Sequence, residues 1–432
     1  MSRDRDAVRL AAGTLRRRRV CGGAATLILA LSSMVSARAS IAIGGQEPAP
    51  AALPQVAQDI GNPSAKVRRQ ALRALRDRGG PETLPLLARL LGDAELDIRE
   101  GAVAGVINVY VPPPPGRRSI SGAAEAFQVA ELRVEVWPVP HELSAALVKA
   151  LADEWPSVRR DAAYALGIVM TPPVDAAVAF EIIASLSDRE PSVRIAAART
   201  LGRLQVRSAA VALVGRVNDE DLDVRLASMS ALGSLREESA VAALTDQFTF
   251  YVRGSAGRAA LSALGAIGHS SSIPLFEAQI TSGYPAHRRA AYEGLARSGR
   301  AAAAAPRIEA AMASEKDPRV LLAMAFALAS AGRDGINRVL DALSDHDRAG
   351  AALVYLLDLG RTHVAAIAAR LGDPNPVVRE QIAIALGFIG GPEAAAALNG
   401  ANGESEPSVR HALNVAQARI ARATAKPASA AP

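Results

Sequence analysis

A unit of about 31 residues recurs along most of this chain, and that period constrains the fold more than any other feature. The segment DREPSVRIAAARTLG at 188–202 is echoed by DEWPSVRRDAAYALG at 153–167, DEDLDVRLASMSALG at 219–233 and DPNPVVREQIAIALG at 373–387. In each copy an Asp lies five residues before a Val, an Arg follows directly, and small or apolar residues then recur at helical spacing up to Leu-Gly. Degenerate copies centre on Val67-Arg68, Ile98-Arg99, Val320 and Val409-Arg410. The later apolar anchor forms a ladder: Leu75, Val106, Leu166, Leu201, Leu232, Leu264, Leu295, Leu328, Leu356 and Leu386, then a polar Gln417. Nine of its ten intervals lie between 28 and 35 residues, and one is 60.

Each copy contains two apolar-periodic segments separated by a turn. The first, such as Glu82–Leu91 or Thr362–Leu371, ends in Gly-Asp or a similar turn. The second often opens with Pro (Pro156, Pro191, Pro376, Pro407), which suits a first helical turn because its missing N–H would have been unpaired there. It often ends in Gly (Gly268, Gly299, Gly332, Gly360, Gly390), as a left-handed cap would. Helices of ten to twelve residues are marginal alone, so each pair must bury its apolar face on its neighbours. The expected fold is therefore all-α: a right-handed α-solenoid of about eleven stacked helical hairpins over residues 51–422. The abundance of Ala suits close helix packing and high helix propensity.

The D-x-x-x-x-V-R-x-x-A-x-x-A-L-G unit resembles the short HEAT repeat of the phycobilin-lyase type. The resemblance implies that Asp93, Asp153, Asp188, Asp219 and Asp373 sit in turns between paired helices. It also implies that Arg99, Arg159, Arg194, Arg225 and Arg379 start second helices and bond to turns or carboxylates of adjacent units. Copies around Gly257, His287, Leu321 and Ala349 read as lacking this Arg in register. The Asp–Arg series is read as structural, fixing the stagger of the units, rather than as a charged binding stripe. Fold does not carry activity here, since such repeats serve unrelated functions.

The 60-residue interval implies an insertion at 107–140. It holds four consecutive prolines (Pro112–Pro115), and in the stretch Val129–Val139 Leu132, Val134 and Val136 alternate with Arg133, Glu135 and Trp137. Period two argues for a strand, with Tyr110-Val111 as a hairpin partner. An insertion that interrupts a solenoid can carry recognition, so Trp137, Tyr110 and Arg133 are candidate partner-binding residues. The alternative is a loop that decorates the groove. Phe250 and Tyr251, in a chain only 3% aromatic, form a second candidate surface, with core filling as the competing reading. Arg288 and Arg289, with His287, Arg297 and Arg300, form a local basic patch that suits an acidic partner or a solvated helix face.

Charge must be divided before it is interpreted. Residues 1–39 carry eight Arg against Asp4 and Asp6, which accounts for the whole +6 of the chain; the remainder is formally neutral. With only four Lys besides, nucleic-acid binding is not expected. Those first 39 residues have the three parts of a secretory signal: Arg16-Arg17-Arg18-Arg19, an apolar core from Val20 to Val35, and Ala37-Arg38-Ala39 before Ser40. The reading is a signal peptide at 1–39, a linker at 40–50 and a disordered tail at 423–432, with export to a periplasmic or secreted location. The alternative is a membrane anchor formed by an uncleaved leader. Cys21 is the chain's one cysteine and falls within that leader, which leaves no disulfide framework.

Catalytic and metal sites are not expected. His141-Glu142 is the one His-Glu dipeptide, whereas HEAT-repeat iron hydroxylases carry several that converge on a di-iron centre. No cofactor is expected. The functional expectation is a monomeric, non-enzymatic scaffold that binds a protein through the concave face of the solenoid. The alternative is a lyase-like or oxidoreductase-type HEAT enzyme or enzyme subunit.

Overall fold

The computed structural model describes residues 52–111, 122–129, 138–401 and 403–424. Those residues build eleven successive helix pairs, numbered here as units 1 to 11, and contain no strand. Unit 4 is representative. Its first helix, Ala176–Ala184, continues into a 3-10 turn, and its second, Pro191–Arg203, opens on Pro191. The units that matter below are unit 5 (207–235), unit 6 (238–267), unit 7 (270–297), unit 8 (301–330) and unit 9 (336–362).

Second helices stack on one another along the chain, so that Leu166, Leu201, Leu232, Leu264 and Leu295 of the sequence ladder lie in one continuous core. The helices start where a side chain or Pro absorbs their unpaired N–H groups. Asp221 accepts from the Val224 N–H, Asp317 from the Arg319 and Val320 N–H groups, and Asn375 from the Val377 N–H. The Gly of the Leu-Gly pair sits inside the second helix, at the point of closest approach to the next unit. A Cβ at Gly265 would come within 2.5 Å of the Ala290 carbonyl oxygen, so only glycine permits this helix spacing. Gly268, by contrast, ends its helix in the left-handed region, φ +67°. Gly360 corrects the capping expectation: it lies within the helix Ala349–Ala369, against Ile389.

That helix joins the second helix of unit 9 to the first of unit 10 across a break at His363 (φ −128°, ψ 18°). An 18-residue stretch within 349–372 reaches a mean hydropathy of 1.3, so by length and composition the helix could cross a membrane. Its Leu353, Leu356 and Leu359 are instead packed in the solenoid core.

The insertion differs from expectation. Tyr110 is the last residue of the helix Leu96–Tyr110 and is 1% exposed, so it is neither a hairpin strand nor a surface contact. Burial also lifts its phenol to about 12. The described part of the insertion is a short helix, Ala123–Val129, whose Phe127 ring packs 5.1 Å from Tyr164. Arg203 fastens it from unit 4, lying 4.7 Å over the Phe127 ring and donating to the Phe127 carbonyl at 2.6 Å. The strand expected over Val129–Val139, with its Arg133 and Trp137, falls almost wholly outside the described residues.

Candidate protein-binding surface

The turns between paired helices line one edge of the solenoid, and a repeated ion pair ties them together. In unit 4, Arg194 Nη1 donates to the carbonyls of Asp188 and Arg189 in its own turn, at 2.9 and 3.2 Å. Its Nη2 donates to Asp219 in the turn of unit 5, at 2.7 Å. Equivalent rungs are Arg68–Asp93 (2.6 Å), Arg99–Asp153 (2.8 Å), Arg159–Asp188 (2.7 Å), Arg288–Glu315 (2.7 Å) and Arg379–Glu404 (2.7 Å). Each such Asp also accepts from a backbone N–H two residues on, as Asp219 does from Asp221. Both arginine and carboxylate are therefore engaged within the ladder, although the Nε of Arg194 has no acceptor among the described residues. Arg288 pairing and backbone N–H bonds hold the Glu315 carboxyl down at about 2, against the pull of burial. For Asp219, burial works to raise the carboxyl, and the Arg194 bond with the backbone N–H outweighs it.

Arg288 thus belongs to the structural ladder, not to a free basic patch, and it stands in register after His287, correcting the sequence reading of that copy. The rest of that patch disperses. His287 is buried with its imidazole held low by desolvation and by Arg258, Arg289 lies 3.6 Å from Glu293, and Arg300 lies 3.6 Å from Glu277. Asp373 is in its turn, but it pairs with Arg370 of its own unit at 3.1 Å.

The ladder is interrupted between units 5 and 6. Arg225 makes the two bonds of its own turn, to the Asp219 and Glu220 carbonyls at 2.7 and 3.3 Å. Across the junction, six residues before Gly257, the position held elsewhere by Asp or Glu is Tyr251. Its ring lies 5.9 Å from the Arg225 guanidinium, where the other rungs place a carboxylate; the Arg225 Nε is buried without an acceptor among the described residues, as is that of Arg194 in its complete rung. The edge here is apolar: Phe250 is 79% exposed, Val252 40% and Tyr251 36%, and Tyr284 in the turn of unit 7 is 45% exposed. The Phe250 and Tyr251 rings pack edge to face at 4.6 Å. Phe248, by contrast, fills the core beside His287, 5.5 Å between rings.

The opposite, inner face is closed over units 5 to 9. Arg236 at the end of unit 5 and Arg297 of unit 7 (2.9 Å) both pair with Asp358 of unit 9, so residues 122 apart in sequence meet. That contact identifies this side as the inside of the curve. Arg297 also lies 5.2 Å over Phe326, which stacks on Tyr355 at 4.3 Å, and the Tyr355 hydroxyl donates to Glu293. Burial and the neighbouring Glu293 push the Tyr355 phenol well above its ordinary range. Arg236 holds φ +51° at a position where other second helices use glycine. A cleft of about 420 Å³ remains beside these groups, lined by Ser230, Ser234, Ser262, Arg236, Arg297 and Val354 among others. This network was not legible in the sequence. Asp358, Tyr355 and Glu293 fall at no conserved place in the repeat, and only the curvature brings them together. Among the described residues no group of three His, Cys, Asp or Glu side chains is arranged to hold a metal ion.

Comparison with known proteins matches these features. The family described as HEAT repeats matches residues 25–107, 181–256, 252–329 and 336–417. The complex of CpcE and CpcF of phycocyanin lyase from Nostoc sp. is 20% identical, over 66% of this chain and 99% of that one, with a TM-score of 0.38. A designed armadillo repeat protein in complex with the peptide (KR)4 is 19% identical, over 57% and 99%, with a TM-score of 0.35. Kap121p bound to Nup53p is 14% identical, over 85% and 44%, with a TM-score of 0.38. No curated protein sequence matches. The matched segments span well over half of the residues, and the chain belongs to the HEAT-repeat family.

Proposed function

We propose that this protein is a non-enzymatic scaffold or adaptor whose turn edge at units 6 and 7 binds a protein partner. The observation that carries the reading is the exposed group Phe250, Tyr251, Val252 and Tyr284 on two successive turns. Aromatic side chains at the surface cost little entropy to immobilise and supply large contact area, which is why they dominate binding hot spots. The concave face is the poorer candidate over units 5 to 9, because Arg236 and Asp358 bridge it. The non-enzymatic reading is supported by the charged groups being spent on one another, in the rungs and around Asp358. Export is part of the proposal and is supported by the three-part pattern of residues 1–39.

The test is in-cell cross-linking of tagged full-length protein beside a Phe250→Ser/Tyr284→Ser variant, scored by mass spectrometry. A specific prey lost with the two substitutions is expected. Prey retained by the variant would move recognition elsewhere, and an absence of specific prey from either would make the inner cleft and a small ligand the better reading. For export, mass spectrometry of the mature N-terminus is expected to find Ser40; a chain still starting at Met1 or Ser2 would sink it.

A further inference from the structure

We propose that the junction between units 5 and 6 is an open rung, completed in trans by an Asp or Glu of the protein partner. The inference rests on the protein-binding reading above and adds the chemistry that would be recognised: a carboxylate next to an apolar side chain.

The argument starts from what a rung contains. At six junctions a guanidinium fixed by carbonyls of its own turn, two in five cases and the Ser282 carbonyl alone for Arg288, is joined by a carboxylate from the next unit. At Gly257 the arginine is missing and the next turn carries Ser282 in place of the carboxylate; at Ala349 the arginine is missing too, and the retained Asp373 pairs with Arg370 of its own unit. In neither case is a ladder partner left unpaired. The junction of units 5 and 6 is different, because Arg225 is retained and only the acid is replaced. Arg225 is held in the ladder pose by the Asp219 and Glu220 carbonyls, so its outward N–H groups are pre-oriented. The acids of its own turn are engaged elsewhere: Asp219 with Arg194, Glu220 3.6 Å from Arg194, and Asp221 on the Val224 N–H. A pre-oriented guanidinium without a carboxylate binds one strongly, since two parallel N–H···O bonds form at little ordering cost.

The surroundings specify the rest of the ligand. Tyr251 covers Arg225 with a ring that is itself part-exposed, and Phe250 packs against it on the solvent side. Displacement of the Tyr251 ring by a ligand would give the carboxylate access to Arg225 and leave Phe250, Val252 and Tyr284 to pack on the flanking apolar residue. Gly257 allows no retreat of the turn: a Cβ there would already strike the Tyr251 carbonyl. The side chain of Tyr251, not its backbone, is what would move.

Completing the rung within the chain provides the test. Tyr251→Asp places a carboxylate where the other units have one. Fluorescein-labelled peptides of sequence Gly-Phe-Glu-Phe-Gly and Gly-Phe-Gln-Phe-Gly are titrated against the full chain and followed by anisotropy. On the unaltered protein the Glu peptide is expected to bind about tenfold more tightly than the Gln peptide, the ratio set by one charge-assisted bond pair. In Tyr251→Asp that preference is expected to vanish and the melting temperature to rise by about 2 °C. Tyr251→Phe, which keeps the ring, is expected to retain the preference and guards against a general effect of altering the turn. Equal affinity of the two peptides, no binding of either, or a Glu preference that survives Tyr251→Asp would overturn the proposal. If the cellular prey is lost with Phe250→Ser/Tyr284→Ser while the peptides bind alike, the edge remains the binding surface and only the open rung fails.

Discussion

The junctions between units 4 and 5 and between units 5 and 6 share a backbone plan and differ in the residue that faces the ladder arginine. In the first, Arg194 meets Asp219 at 2.7 Å and both are buried; in the second, Arg225 makes the same turn bonds and meets the ring of Tyr251. Both junctions keep the helix stack beneath them, with Gly202 against Ala231 and Gly233 against Ala263. The difference teaches that the two layers of the repeat are separable. Packing of second helices sets the fold, while the polar edge can lose a member and become a surface.

Substitution in the stack itself should break both regions alike. Gly265→Val would drive a side chain into the Ala290 carbonyl, and a loss of about 3 kcal/mol is expected in chemical denaturation. A change below about 1 kcal/mol would mean that the stack yields more easily than a packed interior should. Next in size is Asp219→Asn, which leaves Arg194 buried beside a neutral amide and should cost about 2 kcal/mol. Asp246→Asn, at an exposed acid outside the ladder, serves as the reference and should be silent.

Acid should distinguish complete rungs from the gap. Glu315 has its carboxyl held at about 2 against an ordinary 4.5, so its stabilising contribution is fully present above about 4.5 and is lost as pH falls toward about 2. Melting temperatures of the unaltered chain and Glu315→Gln should therefore converge over that window. Parallel curves would show that the Arg288 pair does not govern it. Tyr251→Asp should act in the opposite direction at neutral pH, gaining about 1 kcal/mol by giving Arg225 its missing partner. Least affected should be Arg236→Gly. Relief of the left-handed backbone, worth about 1 kcal/mol, offsets loss of the half-exposed Asp358 pair, so denaturation should move by no more than about 0.5 kcal/mol. Small-angle scattering would then report whether the inner face opens without that contact.

Much of the fold was legible because a repeat states its helix starts, turns and core positions many times over. Pro191, the Val193-Arg194 pair and Leu201 recur at fixed offsets, and a local rule repeated in every unit needs no long-range information. The candidate surface was legible in part. Phe250 and Tyr251 stand out as aromatics off the repeat pattern, but Tyr284 and the isolation of Arg225 do not. Tyr110 misled because an aromatic beside a Pro-rich stretch looks like an exposed loop residue, whereas the helix continues through it and turns it inward.

Periodicity alone fixed the helix pairs, their order and the existence of the ladder, because each depends on contacts within one unit and its neighbour. Curvature was decided only in three dimensions. It accumulates from small rotations at every junction, and it alone brings Arg236 of unit 5 to Asp358 of unit 9 and closes the inner face. The same holds for the gap at Tyr251. A tyrosine in a turn is unremarkable by itself, and its meaning comes from the arginine that the stack holds in position facing it.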